Sequence, residues 1–170
     1  MRPRYVDLAR GRAPRAPNTT WLTPPAIIKA LGPFDLDPCC PAQMPWRTAR
    51  RMYHWPKDDG LSSPWRGRVW LNPPFDCPLP WIKKFCAHGN GVCLVNVSGL
   101  TAKWGQQLLL QSDVVLVVRG RISFCLADGR PTTGKMNGHA FAAVGRRNVL
   151  ALQALCVSVM PGVLLTKAKF

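Results

Sequence analysis

Gly91-Val92-Cys93-Leu94-Val95-Asn96-Val97, a helical stretch over residues 101–111, then Val114-Val115-Leu116-Val117-Val118: this succession decides the fold. A strand apolar at nearly every position must be covered on both faces, because a half-solvated strand alternates. Two such runs joined by a helix describe a crossover in a sheet layered by helices. Towards the N-terminus, Arg68-Val69-Trp70-Leu71 reads as another strand, followed by a helix over residues 80–87. Phe34-Asp35-Leu36-Asp37 alternates apolar and acidic, a short strand stopped by Pro38. Before it, Thr23 can cap a helix with Pro24 and Pro25 in its first turn, and Gly32 ends that helix. Towards the C-terminus, residues 122–126 and 139–144 read as strands flanking a Gly/Thr-rich loop over 128–138, and residues 149–156 as a closing helix. Residues 38–66 hold five prolines and four tryptophan or tyrosine residues, and read as one long irregular loop. Loops of that length in a small domain are usually functional. The expected class is α/β: a compact, mostly parallel sheet with helices on both faces.

The chain has 170 residues, enough for one domain with a substantial core. That domain is expected over residues 21–170. Residues 1–20 interleave Arg2, Arg4, Arg10, Arg12 and Arg15 with Pro3, Pro14 and Pro17, and read as a flexible basic arm. The apolar run 114–118 falls far short of the ~20 residues that span a bilayer, so no membrane partner is expected. The seven cysteines, several inside apolar runs, and the lack of a secretory leader suit reduced thiols and an expected cytoplasmic setting. No cysteine pair has zinc-site spacing, and vicinal Cys39-Cys40 fits a shared tetrahedral ion poorly, so no metal is expected.

Charge is unevenly distributed. Net charge is +15, and all eight acids are aspartates. Residues 35–76 carry five of those aspartates against six bases, whereas the other 128 residues carry 17 bases and three acids. A basic body around a local pool of carboxylates points to a polyanion partner and a site that needs acceptors; nucleic acid is the expected polyanion.

In open α/β sheets, ligands bind outside the carboxyl ends of the strands. Two strands here end in unusual chemistry, Asp35-Leu36-Asp37-Pro38-Cys39 and Leu71-Asn72-Pro73-Pro74-Phe75. Proline has no backbone donor, so Pro73 and Pro74 stiffen a turn and leave carbonyls as acceptors. Asn72 adds a side-chain acceptor, and Phe75 an aromatic face. Together they can accept both hydrogens of a planar amine while stacking its ring, which suits a base extruded from a duplex.

Asn72-Pro73-Pro74-Phe75 resembles the Asn/Asp-Pro-Pro-Tyr/Phe motif of amino-methyltransferases. The wider run resembles the phage-type DNA N-6-adenine methyltransferase family. It carries, in order, Thr23-Pro24, Phe34-Asp35-Leu36-Asp37-Pro38-Cys39, Asp59-Gly60-Leu61, Trp65, Val69 to Phe75, Trp81 and Arg121-Ile122-Ser123-Phe124. The resemblance implies a Rossmann-like methyltransferase fold with S-adenosylmethionine as donor and adenine in double-stranded DNA as acceptor. It places Asn72, Pro73, Pro74 and Phe75 in catalysis. Thr23, Pro24, Asp37 and Cys39 fall near the donor's methionine end, and Asp59 with Leu61 near its adenosine. Cys39-Cys40-Pro41 stands where most methyltransferases have Gly-x-Gly, a departure this branch shares. Phe75 replaces the commoner tyrosine.

Arg119, Arg121, Arg130 and Lys135 form a basic stretch expected to grip phosphate, extended by Arg146 and Arg147. No obligate protein partner is evident. The rival readings are methylation of another amine (RNA, cytosine or protein glutamine) and a non-catalytic DNA-binding module. A Mg²⁺ nuclease would need clustered carboxylates beside a lysine, which the sequence lacks.

Overall fold

The computed structural model describes residues 21–132 and 137–166. Its strands are β1 (Leu36–Cys40), β2 (Arg51–His54), β3 (Val69–Leu71), β4 (Gly91–Asn96), β5 (Val114–Val118), β6 (His139–Val144) and β7 (Gly162–Thr166). The helices are α1 (Pro25–Leu31), α2 (Leu79–His88), α3 (Lys103–Gln111) and α4 (Arg146–Ser158). All seven strands form one sheet in the order β2-β1-β3-β4-β6-β5-β7.

The alternation along each buried strand sorts the core into two layers. Val92 and Leu94 of β4, with Val114 and Leu116 of β5 and Phe141 of β6, face α1 and α4, whose Ile27, Ile28, Leu31, Leu152 and Leu155 close over them. Cys93, Val95, Val115, Ala140 and Ala142 face the other way, onto Trp81, Ile82 and Phe85 of α2 and Leu108 of α3. Helices therefore cover both faces, as the apolar runs require.

The sheet is mixed, not mostly parallel. β1 pairs in parallel with β2 and with β3, and β3 with β4, but β6 runs antiparallel to both β4 and β5, and β7 antiparallel to β5. An apolar run reports that both faces are buried and says nothing of direction. The chain leaves β5 and returns into β6 at the same edge, with Val117 opposite Ala140. A loop return of that kind gives antiparallel neighbours, whereas a parallel pair needs a crossover.

Three other expectations change. Residues 38–66 contain β2, which pairs with β1 through Leu36–Arg51 and Asp37–Met52. The stretch 122–126 is not a strand; Cys125 makes isolated bridges to Leu22 and Pro131 instead. β7 was not expected, because Val163 and Leu165 of this edge strand are exposed and give no clean periodicity. No helix among the described residues is long and apolar enough to cross a membrane.

The connectivity positions the site. From β1 the chain passes to β2 on one side, then crosses to β3 on the other. The order therefore reverses between β1 and β3, and the crevice outside their carboxyl ends is the natural ligand position. Those two ends are the ones the sequence marks: Asp37 to Cys40 on β1, and Asn72 to Phe75 directly after β3. At the opposite edge, buried Arg68 donates from Nη1 to the Pro33 carbonyl (2.9 Å) and from Nε to Asn148 Oδ1 (2.5 Å). Its guanidinium also lies 4.2 Å from the Phe34 ring centroid, tying the turn after α1 to α4.

Candidate active site

Asn72 leaves β3 half-buried, and its Nδ2 donates to Thr23 Oγ1 at 3.4 Å. That bond orients the amide and leaves Oδ1 as the acceptor. Thr23 is itself buried and makes no helix-capping bond; Pro24 stands at the cap of α1. The cap reading of Thr23 therefore gives way to support of Asn72. The Pro74 carbonyl accepts the Cys77 N–H at 3.2 Å, which closes the turn, and among the described residues no backbone N–H outside the helices and strands bonds the Pro73 carbonyl, so it can accept as well. Phe75 is half-buried, with its ring centroid 5.9 Å from that of His139.

Asp37 is buried in β1, and its carboxylate accepts the Thr48 hydroxyl at 2.5 Å and the Cys39 N–H at 3.1 Å. Desolvation nevertheless dominates and pushes the carboxyl up to about 6. The Thr48 and Cys39 hydrogen bonds and the charge of His54 hold it from rising further. A buried carboxylate without a bonded cation is costly to ionise, and a bound ammonium would relieve that cost. Cys39 and Cys40 beside it are held as neutral thiols by burial, with the Asp37 charge adding to the effect.

The Asp59-Gly60-Leu61 segment is brought against β1 by its glycine. A Cβ on Gly60 would stand 1.8 Å from the Pro38 carbonyl oxygen and 3.1 Å from the Trp81 ring. One Asp59 oxygen, Oδ1, accepts the N–H groups of Leu61 (2.9 Å) and Ser62 (3.3 Å), so half of this carboxylate shapes its own turn. Asp58 likewise accepts the His54 N–H at 2.9 Å. Lys84 of α2 clamps the segment by donating to the carbonyls of Leu61 (2.7 Å), Ser63 (2.6 Å) and Gly60 (3.4 Å). Trp65 Nε1 adds a bond to the Gly60 carbonyl at 2.7 Å. Gly60→Ala should cost about 1–3 kcal/mol, because backbone must move to admit the methyl. A thermal melt checks this directly; an unchanged Tm would mean that the segment sits off β1 in solution.

The sequence model of the DNA N-6-adenine-methyltransferase (Dam) family matches residues 11–149. The chain belongs to this family. Over 98 residues it is 32% identical to the DNA N-6-adenine-methyltransferase of Haemophilus phage HP1 (strain HP1c1), covering 54% of each protein. The chain thus spans about half the length of the curated relative it matches. No solved structure matches it.

Within this member of the Dam family, the expected DNA contacts divide between two edges of the sheet. β5 runs parallel to β4, so Arg119 and Arg121 emerge exposed at the same edge as Asn72. Arg130 is on the loop that follows, with its guanidinium already paired to Asp128 (Nη2–Oδ2 2.7 Å). Lys135 lies outside the described residues, as does the arm at 1–20. Arg146 and Arg147 open α4 after Val144, which sits opposite Gly91 at the start of β4, and so they occupy the far edge. Among the described residues no group of three His, Cys, Asp or Glu could hold a metal ion.

Sequence reasoning missed three residues of this region: Thr48, Lys84 and His139. Thr48 and Lys84 stand 11 and 21–24 positions from the groups they bond, so no local pattern marks them. His139 did have a signal, a polar residue opening an otherwise apolar strand.

Proposed function

We propose that this chain transfers a methyl group from S-adenosylmethionine to the exocyclic amine of adenine in double-stranded DNA. Residues 21–170 would form a Rossmann-like methyltransferase domain, with residues 1–20 as a basic arm on the phosphates. The observation that carries this reading is the Asn72–Phe75 turn, which leaves β3 beside the Asp37 end of β1 where the strand order reverses.

The residues present suit the donor. Asp37 is a buried carboxylate that makes no ion pair among the described residues, which matches an ammonium. Thr23 and Pro24 border Asn72, while Gly60 seats Asp59 and Leu61 on Pro38, beside Cys39. The spare oxygen of Asp59 can accept from a ribose hydroxyl. S-adenosylmethionine, when bound, supplies a methyl already activated by positive sulfur, so the protein needs no strong general base.

The chain's own part is to hold and orient the amine. Asn72 Oδ1 and the Pro73 carbonyl accept its two hydrogens, which turns the nitrogen lone pair out of the ring plane. Phe75 stacks the extruded base, and Pro74 keeps the turn rigid. Orientation and fixed dipoles of this kind supply most of the acceleration in a direct displacement. Transfer would break the donor's methyl–sulfur bond and leave a neutral thioether, and the proton shed by the amine would pass to solvent. Arg119 and Arg121 lie at the correct edge to hold flanking phosphates, and Arg130 would have to exchange Asp128 for one.

Expression in a bacterium lacking DNA methylation, followed by base-resolved sequencing, tests the assignment. The expected result is 6-methyladenine at a recurring short sequence. DNA left unmodified while RNA or a peptide accepts tritium from labelled donor would reassign the acceptor.

A further inference from the structure

His139 opens β6 opposite Asn96, at the same edge of the sheet as the Asn72 turn. It is wholly buried, and among the described residues neither Nδ1 nor Nε2 has a hydrogen-bond partner. Burial lowers the imidazole to about 4, so it is neutral near pH 7 and presents one donor and one acceptor. Its ring meets two aromatic side chains, Phe75 at 5.9 Å between centroids and tilted by 41°, and Phe124 at 5.0 Å and edge-on. Phe124 holds the next segment through its carbonyl, which accepts the Thr132 N–H at 2.7 Å.

A leucine of similar volume would fill this place without stranding two buried polar atoms, which are costly to leave unpaired. Natural chains carry few such orphans, and they concentrate where function overrides stability. Here the cost falls against the aromatic side chain of the acceptor turn. Phe75 has one side against His139 and remains half-exposed elsewhere, so the imidazole fixes the plane of the ring on which a base would stack.

We propose that His139 is a positioning residue for the target base: in contact with both Phe75 and Phe124, it sets the plane of Phe75 and so the angle at which the extruded base meets Asn72. This rests on the base-methylation reading above. It also separates stability from chemistry. His139→Leu removes two buried orphans but replaces a flat, polarisable partner with a branched one, so the fold gains or holds while Phe75 loses its alignment.

The test uses the full chain with two duplexes of the mapped sequence, one with adenine at the target for kinetics and one with 2-aminopurine there, whose fluorescence rises on unstacking. For H139L we expect an unchanged or higher Tm, donor affinity and KM for DNA within twofold, kcat at least tenfold lower, and an altered 2-aminopurine signal. F75L should reproduce the kcat loss and the changed signal, which keeps the test open if H139L folds poorly. H139L with wild-type kcat and fluorescence overturns the role of His139 alone, whereas an F75L whose fluorescence matches wild type removes Phe75 from base stacking and this inference with it. A wild-type protein that leaves 2-aminopurine stacked overturns the base-extrusion reading and this inference with it.

Discussion

Asn72→Ala should cost about 2–4 kcal/mol of transition-state stabilisation, roughly 30- to 1,000-fold in methyl-transfer rate, with donor affinity almost unchanged. Two features of the site set that expectation. Nδ2 is engaged by Thr23 Oγ1, so the side chain is held in one orientation before any substrate arrives, and Oδ1 acts as a fixed dipole. The second acceptor, the Pro73 carbonyl, survives the substitution because it belongs to the backbone. The loss is therefore that of one preorganised acceptor and not of the whole pocket. Single-turnover rates with saturating donor, beside calorimetric donor titration of both proteins, separate chemistry from binding. Equal rates would remove Asn72 from the reaction; equal loss of donor binding would assign it to the cofactor instead. A fall in Tm is a separate matter, since Asn72 is only half-buried and its single bond to Thr23 contributes about 1 kcal/mol.

How much of this was legible beforehand depends on the range over which each feature is written. Burial on both faces is encoded position by position in Val92 to Val95 and Val114 to Val118, and it reads correctly. Strand direction is encoded nowhere in those residues. It depends on how the chain returns after Val118, and the Cys125 bridges to Leu22 and Pro131 hold that return at the carboxyl edge. The paired strand ends at Asp37 and Asn72 were visible because both motifs are local. Their meeting at the switch point follows from β2 pairing with β1, and β2 lay hidden in a proline-rich stretch: Arg51-Met52-Tyr53-His54 is too short and too polar to announce a strand. Support by Thr48, Lys84 and His139 is long-range, and only the folded chain brings those residues to the site.

Asp37 carries the other large effect, on donor affinity and its pH dependence. Its carboxyl titrates near 3.8 in an unfolded chain and about 6 in the fold, with desolvation as the main cause. Between those values the folded protein keeps a proton that the unfolded one has released. Raising the pH through this window therefore removes stability from the free protein, roughly 3 kcal/mol in all, and the contribution is fully present only below it. Binding a donor ammonium reverses the preference, because a cation beside the carboxylate favours its charged form. The affinity should thus rise about tenfold from pH 5 to pH 7, as Asp37 goes from mostly protonated to mostly ionised, with proton release on binding at pH 5 to 6. Asp37→Asn retains an acceptor for the Cys39 N–H and an amide for Thr48 but cannot ionise. It should bind donor about 10- to 150-fold more weakly at pH 7, the worth of a hydrogen bond to a charged group, and show no pH slope. Its Tm at pH 7 should equal or exceed that of the wild type, since the buried charge is gone. Calorimetric titration of both proteins at the two pH values decides the matter: a wild-type affinity that is flat across this range would show that Asp37 faces no cation, and the donor would have to be held from another residue.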